Sequence, residues 1–281
     1  MKGNFMYHSE LLKRTIVGAV GVPVILGITL FGKLPFLIMV DIILVLALWE
    51  LYTLAKKKGF SPSNFVGILS VLAVSWDFYF FNGQCMGRLL LFIIFFVLIV
   101  ELFKSKNNAL ANSAITLFGI FYISLFSFFI LIRELSFRST LPYTSGGWIV
   151  ILIFVTIWLC DTGAYLFGSL FGTHPLFPRV SPKKTWEGAI GGLIIGIASA
   201  IGLRYFIAVS LSLIDAVIIG AIVGIIGQLS DLIESLYKRD AGVKDSSNIL
   251  PGHGGFLDRF DSPLLVGPTV YLFFVISGFI K

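Results

Sequence analysis

Between Ser230 and Asp261 the chain reads SDLIESLYKRDAGVKDSSNILPGHGGFLDRFD, with Asp231, Glu234, Asp240, Asp245, Asp258 and Asp261 in one short run. Lys238, Arg239, Lys244 and Arg259 are interleaved with these acids, and His253 sits inside PGHGG. Carboxylate oxygens without a Cys/His cluster suit a hard divalent cation such as Mg²⁺ better than zinc. Basic side chains and glycine amides alongside them suit phosphate oxygens. Together they point to phosphoryl or nucleotidyl transfer, in which positioning and charge neutralisation supply most of the catalysis. The nucleotide must be held without a GxxxxGK[ST] loop, because the chain contains none.

Three further stretches carry polar groups in an otherwise apolar chain. In WLCDTGAYLFGSLFG, helical spacing puts Asp161, Thr162, Tyr165, Gly168, Ser169 and Gly172 on about a third of the circumference. Helix packing accounts for the glycines. It does not account for Asp161, since an acid at mid-bilayer costs about 2.5–3.5 kcal/mol on insertion. In SPKKTWEG, Ser181 and Pro182 read as a helix cap and first helical residue, which would set Lys183 and Lys184 at a helix N-terminus. Before the acidic run, Gly224, Gly227, Gln228, Asp231, Glu234, Ser235 and Lys238 share one helical face. Asp258 and Asp261 are three apart, so one helical turn aligns them, and Pro263 is expected to open the last span with Ser262 or Asp261 as its cap.

These groups need elements to hold them, and the composition says what kind. Of 281 residues, 57% are hydrophobic and 13% charged, and the mean hydropathy is +0.96. A single soluble core has no room for that much apolar surface, so the chain reads as an all-α, polytopic integral membrane protein. About nine spans are expected, at roughly 15–31, 35–55, 65–81, 86–103, 109–132, 147–170, 187–208, 213–235 and 263–280. The first is read as an uncleaved helix rather than a signal peptide, because no small-residue cleavage site follows it.

With the N-terminus in the cytoplasm, 15 of the 21 Lys and Arg fall in inside segments and six outside, as the positive-inside rule requires. The net charge of +6 is therefore topology first, and no nucleic-acid partner is expected. Residues 1–135 read as a transmembrane scaffold of about five helices. Residues 136–281 read as the catalytic region, with cytoplasmic loops at 173–186 and 236–262. Asp41, Glu50, Asp77 and Glu101 in the scaffold read as interfacial or helix-packing acids. Cys85 and Cys160 give neither a disulfide framework nor a metal spacing.

The run SLYKRDAGVKDSSNILPGHGGFLDRFD (235–261) resembles the signature of the phosphatidate cytidylyltransferases, the CDP-diacylglycerol synthases. Ser235, Lys238, Arg239, Lys244, Asp245, His253, Gly254, Gly255, Asp258, Arg259 and Asp261 all stand where that pattern wants them. DTGAYLFG and SPKKTWEG are similar to other segments of the family.

The resemblance implies that CTP and phosphatidate yield CDP-diacylglycerol and pyrophosphate, with Mg²⁺ required and a second cation allowed. Asp231 and Asp258 are the expected metal ligands, and Asp261 and Lys238 complete the expected catalytic set. Asp161, Lys183, Lys184, Ser235, Arg239, Lys244, His253, Gly254, Gly255 and Arg259 are expected to bind substrates. The implied location is the bilayer of a prokaryotic inner membrane, with the site facing the cytoplasm, and glycine-rich spans allow a homodimer. Two rivals stand beside this reading. A CTP-using polyprenol or dolichol kinase would share the C-terminal part, and an ion-coupled transporter would use the buried acids without a phosphate loop.

Overall fold

The computed structural model describes residues 18–104, 107–135, 141–250, 252 and 254–280. Eight helices among them are long and apolar enough to cross a membrane. These are α2 (Lys33–Lys57), α3 (Asn64–Phe81), α4 (Met86–Lys104), the α5–α6 run (Ala109–Arg133), α7 (Tyr143–Phe171), α8 (Trp186–Phe206), the α9–α10 run (Leu213–Asp240) and α11 (Leu257–Ile276). A shorter helix, α1 (Gly18–Phe31), occupies the first expected span, whose residues 15–17 lie outside the described ones. The all-α expectation is met, apart from one small hairpin.

The chain forms two compact units, one of residues 1–124 with 240–260, the other of 125–239 with 261–281. In the first, Tyr52 on α2 is fully buried and its hydroxyl donates to the carbonyl of Thr116 on α5 (Ala109–Ser124) at 2.6 Å. A Cβ on Gly67 of α3 would come within 2.6 Å of that ring, so a bare backbone is what lets α3 close on α2. Glu101 is buried and accepts a hydrogen bond from Asn112 at 2.9 Å, as a helix-packing acid does.

In the second unit α7 packs on α8, and a Cβ on Gly188 would lie 2.7 Å from the carbonyl oxygen of Ala164. Three local expectations are corrected here. First, residues 175–185 fold into an antiparallel hairpin of β1 (Pro175–Phe177) and β2 (Ser181–Thr185). Ser181 and Pro182 therefore lie in a strand, and α8 is capped instead by Thr185, whose hydroxyl accepts the Gly188 amide at 3.2 Å. Lys183 and Lys184 are strand residues as a result.

Second, the α9–α10 run is not one regular helix. A π turn at Val223–Gly227 separates α9 (Leu213–Ile222) from α10 (Gln228–Asp240). Wide turns leave carbonyls short of donors, and the Gln228 side-chain amide donates to one of them, Gly224 O, at 2.6 Å, while its second bond, to Ala189 O at 3.0 Å, ties the turn to α8. Third, α11 starts at Leu257 rather than Pro263, which places Asp258 and Asp261 on helix and Pro263 and Pro268 inside it. Pro263 is the seventh residue of that helix, so it forgoes one i→i−4 bond inside the helix rather than opening it.

Candidate metal and phosphate site

The second unit brings three carboxylates together. Asp231 and Glu234 project from one face of α10, and Asp261 comes from α11. One oxygen from each lies within 4.8 Å of the others. Octahedral ligands of Mg²⁺ stand about 4.2 Å apart across the metal, and those of Ca²⁺ about 5 Å, so three hard oxygens at this spacing fit a divalent cation. The Ser230 hydroxyl donates to Asp261 O at 2.5 Å, fastening α11 to α10 beside the cluster.

Two lysines lie against these acids. Lys184 from β2 forms an ion pair with Asp231, in which both side chains are about 30% exposed. Lys238, one turn beyond Glu234 on α10, pairs with it at 2.5 Å. Glu234 is completely buried and Lys238 nearly so. An isolated charge at that depth would be very costly, and the pairing is what makes it tolerable. Asp231, Asp161 and Lys238 all lie within electrostatic reach of the Asp261 carboxylate. Asp161 on α7 is itself exposed. The expected substrate residue Ser235 is buried on α10, 3.4 Å from Asp231. Arg239 reaches the hairpin and donates to Val180 O at 3.3 Å, while Lys183 is exposed on β2.

The remaining expected site residues belong to the first unit. Lys244, Asp245 and Arg259 are exposed there. Asp258 Oδ2 accepts from Ser246 N at 3.0 Å and Gly255 N at 2.7 Å, with Ser246 Oγ 2.9 Å away. The Gly255 amide, expected to face a phosphate, is thus committed to Asp258. Gly254 has φ of +81°, and its carbonyl accepts from Leu250 N at 3.0 Å, closing the turn. His253 lies outside the described residues.

Sequence reasoning passed over two residues. Glu234 was visible on the polar face of α10, three residues after Asp231, yet only the coordinates make it a member of the carboxylate cluster. Glu50 gave almost no signal, being a single acid just before Lys56–Lys58. It is fully buried, and its two oxygens accept from Ser246 Oγ (2.9 Å), Ser247 Oγ (2.6 Å), Phe256 N (3.0 Å) and Leu257 N (2.7 Å).

The sequence matches the model of the cytidylyltransferase family over residues 12–277. It is 35% identical over 268 residues to a phosphatidate cytidylyltransferase of Bacillus subtilis (strain 168), covering 93% of this chain and 97% of the relative. A phosphatidate cytidylyltransferase of Staphylococcus haemolyticus (strain JCSC1435) is 33% identical, with coverage of 93% and 98%. One of Staphylococcus saprophyticus is 34% identical over 270 residues, again covering 93% and 98%.

Proposed function

The chain belongs to the cytidylyltransferase family, and from that premise we propose that it transfers the cytidylyl group of CTP to phosphatidate. The products are CDP-diacylglycerol and pyrophosphate, which makes it an enzyme of phospholipid synthesis in the membrane. The observation that carries the reading at the level of chemistry is the convergence of Asp231, Glu234 and Asp261, with Lys184 and Lys238 set against them.

A phosphate oxygen of phosphatidate attacks the α-phosphorus of CTP. The new P–O bond forms as the bond from that phosphorus to the α–β bridging oxygen breaks, and pyrophosphate leaves with the electron pair. The nucleophile is already an anion at neutral pH, so no general base is required. Asp231, Glu234 and Asp261 are the groups that would hold Mg²⁺. Bound there, it would neutralise phosphate charge and polarise the α-phosphoryl group.

Lys184 and Lys238 then have a second role. With the acids committed to a cation, their ammonium groups are available to the triphosphate or to the lipid phosphate. Ser235 and Arg239 remain proposed substrate contacts, with Asp161 bordering the site, and Lys244, Gly254, His253 and Arg259 remain proposed phosphate contacts of the first unit's loop. Asp258 leaves the ligand set in this reading, since one of its oxygens already accepts the Ser246 and Gly255 amides. The proposed location is the inner membrane of a prokaryotic cell, with the site facing the cytoplasm, which the distribution of Lys and Arg supports. The catalytic groups named here come from residues 136–281 of a single chain, so the reading does not call on a homodimer.

CTP labelled at the α-phosphate, incubated with the purified protein, phosphatidate and Mg²⁺, tests the reaction. Label in the lipid with release of pyrophosphate is expected. Release of CDP with a phosphorylated alcohol would replace this reading with the polyprenol kinase one.

A further inference from the structure

Nothing local to the sequence accounts for the four hydrogen bonds that Glu50 accepts. Two come from backbone amides, Phe256 N and Leu257 N, at the entry to α11, and two from the hydroxyls of Ser246 and Ser247. These partners lie about 200 residues further along the chain. Helix entries are usually capped by a neighbour in sequence, and Asp258 does this for Gly255 N. A distant acid adds what a local cap does not, because it fixes the loop against α2.

Three observations support that role. A wholly buried carboxylate persists only when its oxygens are satisfied, and here each oxygen takes two donors at 2.6–3.0 Å. The Ser246 hydroxyl stands 2.9 Å from both Glu50 and Asp258, linking the two acids that brace the turn. At Gly255, a Cβ would collide with Ser246 Oγ and with both Glu50 oxygens, so the clamp itself demands glycine there. The other end of the loop is held far more loosely, by the exposed pair of Lys58 and Asp240 at 2.6 Å.

We propose that Glu50 is a positioning residue, which sets the loop carrying Lys244, Asp245, Gly254 and Arg259 for phosphate binding. The inference rests on the cytidylyltransfer reading for what the loop binds, and on the geometry alone for how it is held. Glutamine at position 50 keeps the shape but puts an N–H₂ where one acceptor stood, opposing two of the four donors.

The test compares wild type, Glu50→Gln and Glu50→Asp as full-length protein in nanodiscs. Hydrogen exchange, thermal unfolding and steady-state kinetics with CTP and phosphatidate are measured on each. In Glu50→Gln, exchange of the 246–257 segment is expected to rise about tenfold while the other helices keep their protection. Its kcat per folded molecule should fall by about 30-fold, as misplacing reacting groups does. Glu50→Asp, which keeps the charge, should lie between the two.

Wild-type kcat in Glu50→Gln, or a loss that only tracks the folded fraction, overturns the positioning role. Unchanged exchange at 246–257 overturns the clamp itself. A wild-type protein inert toward CTP and phosphatidate would overturn the function, and the catalytic half of this inference with it. The exchange measurement decides the clamp in either case.

Discussion

Lys184 and Asp231, forty-seven residues apart, form an ion pair between a strand of the β hairpin and the acidic face of α10. Its neighbour Lys183 is exposed. The pair SPKK therefore holds two lysines with different work, and single substitutions separate them. Lys184→Ala should lower kcat/KM for CTP by about 10- to 100-fold, the scale of one lost charge-assisted contact. Lys183→Ala should stay within about threefold. Steady-state kinetics on the two variants checks this, and equal losses would mean that the lysines act only as a charged patch.

Glu234 and Lys238 make a second pair, this one inside the protein. Removing one partner from a buried pair strands the other charge, so Lys238→Met should destabilise the fold by about 3 kcal/mol. Adding Glu234→Gln removes the stranded charge and should recover most of that loss. Turnover should not return, because the double variant lacks both a proposed ligand and a phosphate partner. Thermal unfolding and kinetics on the three variants form the cycle.

Thr185→Ala tests the local correction at the start of α8. The Thr185 hydroxyl accepts the Gly188 amide, and loss of such a cap costs about 1 kcal/mol. Ser181→Ala, at the cap position expected from the sequence, should change stability by less than about 0.5 kcal/mol. Denaturation midpoints of the two variants decide which residue caps the helix.

How far the sequence reveals this molecule depends on the range of the interaction concerned. The spans are legible because hydrophobicity over some twenty residues is a strong local signal, and Asp231, Glu234 and Lys238 share a face because helical periodicity is local too. The start of α11 was misread because Pro263 is an equally good helix opener on local grounds. What moves the boundary to Leu257 is Glu50, about 200 residues earlier in the chain. The β hairpin was missed for a similar reason. Ser181–Pro182 looks like a cap until the pairing of Pro175 with Thr185 is known. The π turn is invisible in a pattern of glycines and isoleucines that suits either helix.

The carboxylate cluster makes a prediction that needs no substrate. Mg²⁺ binding to the folded state stabilises it by about 2.7 kcal/mol at a hundred times the Kd. For a protein of this size that is a rise in Tm of roughly 5 °C. Asp231→Asn and Asp261→Asn should abolish the rise, because each removes the charge of one of the three carboxylates whose oxygens lie within 4.8 Å. They should also lose Mg²⁺-dependent turnover while remaining folded. Asp258→Asn should behave differently. Its Oδ2 accepts from Ser246 and Gly255, so the variant should start from a lower Tm yet still respond to Mg²⁺ by a similar increment. Thermal scans with and without Mg²⁺ on the four proteins distinguish the roles. A response lost in Asp258→Asn and kept in Asp261→Asn would return Asp258 to the metal and remove Asp261 from it.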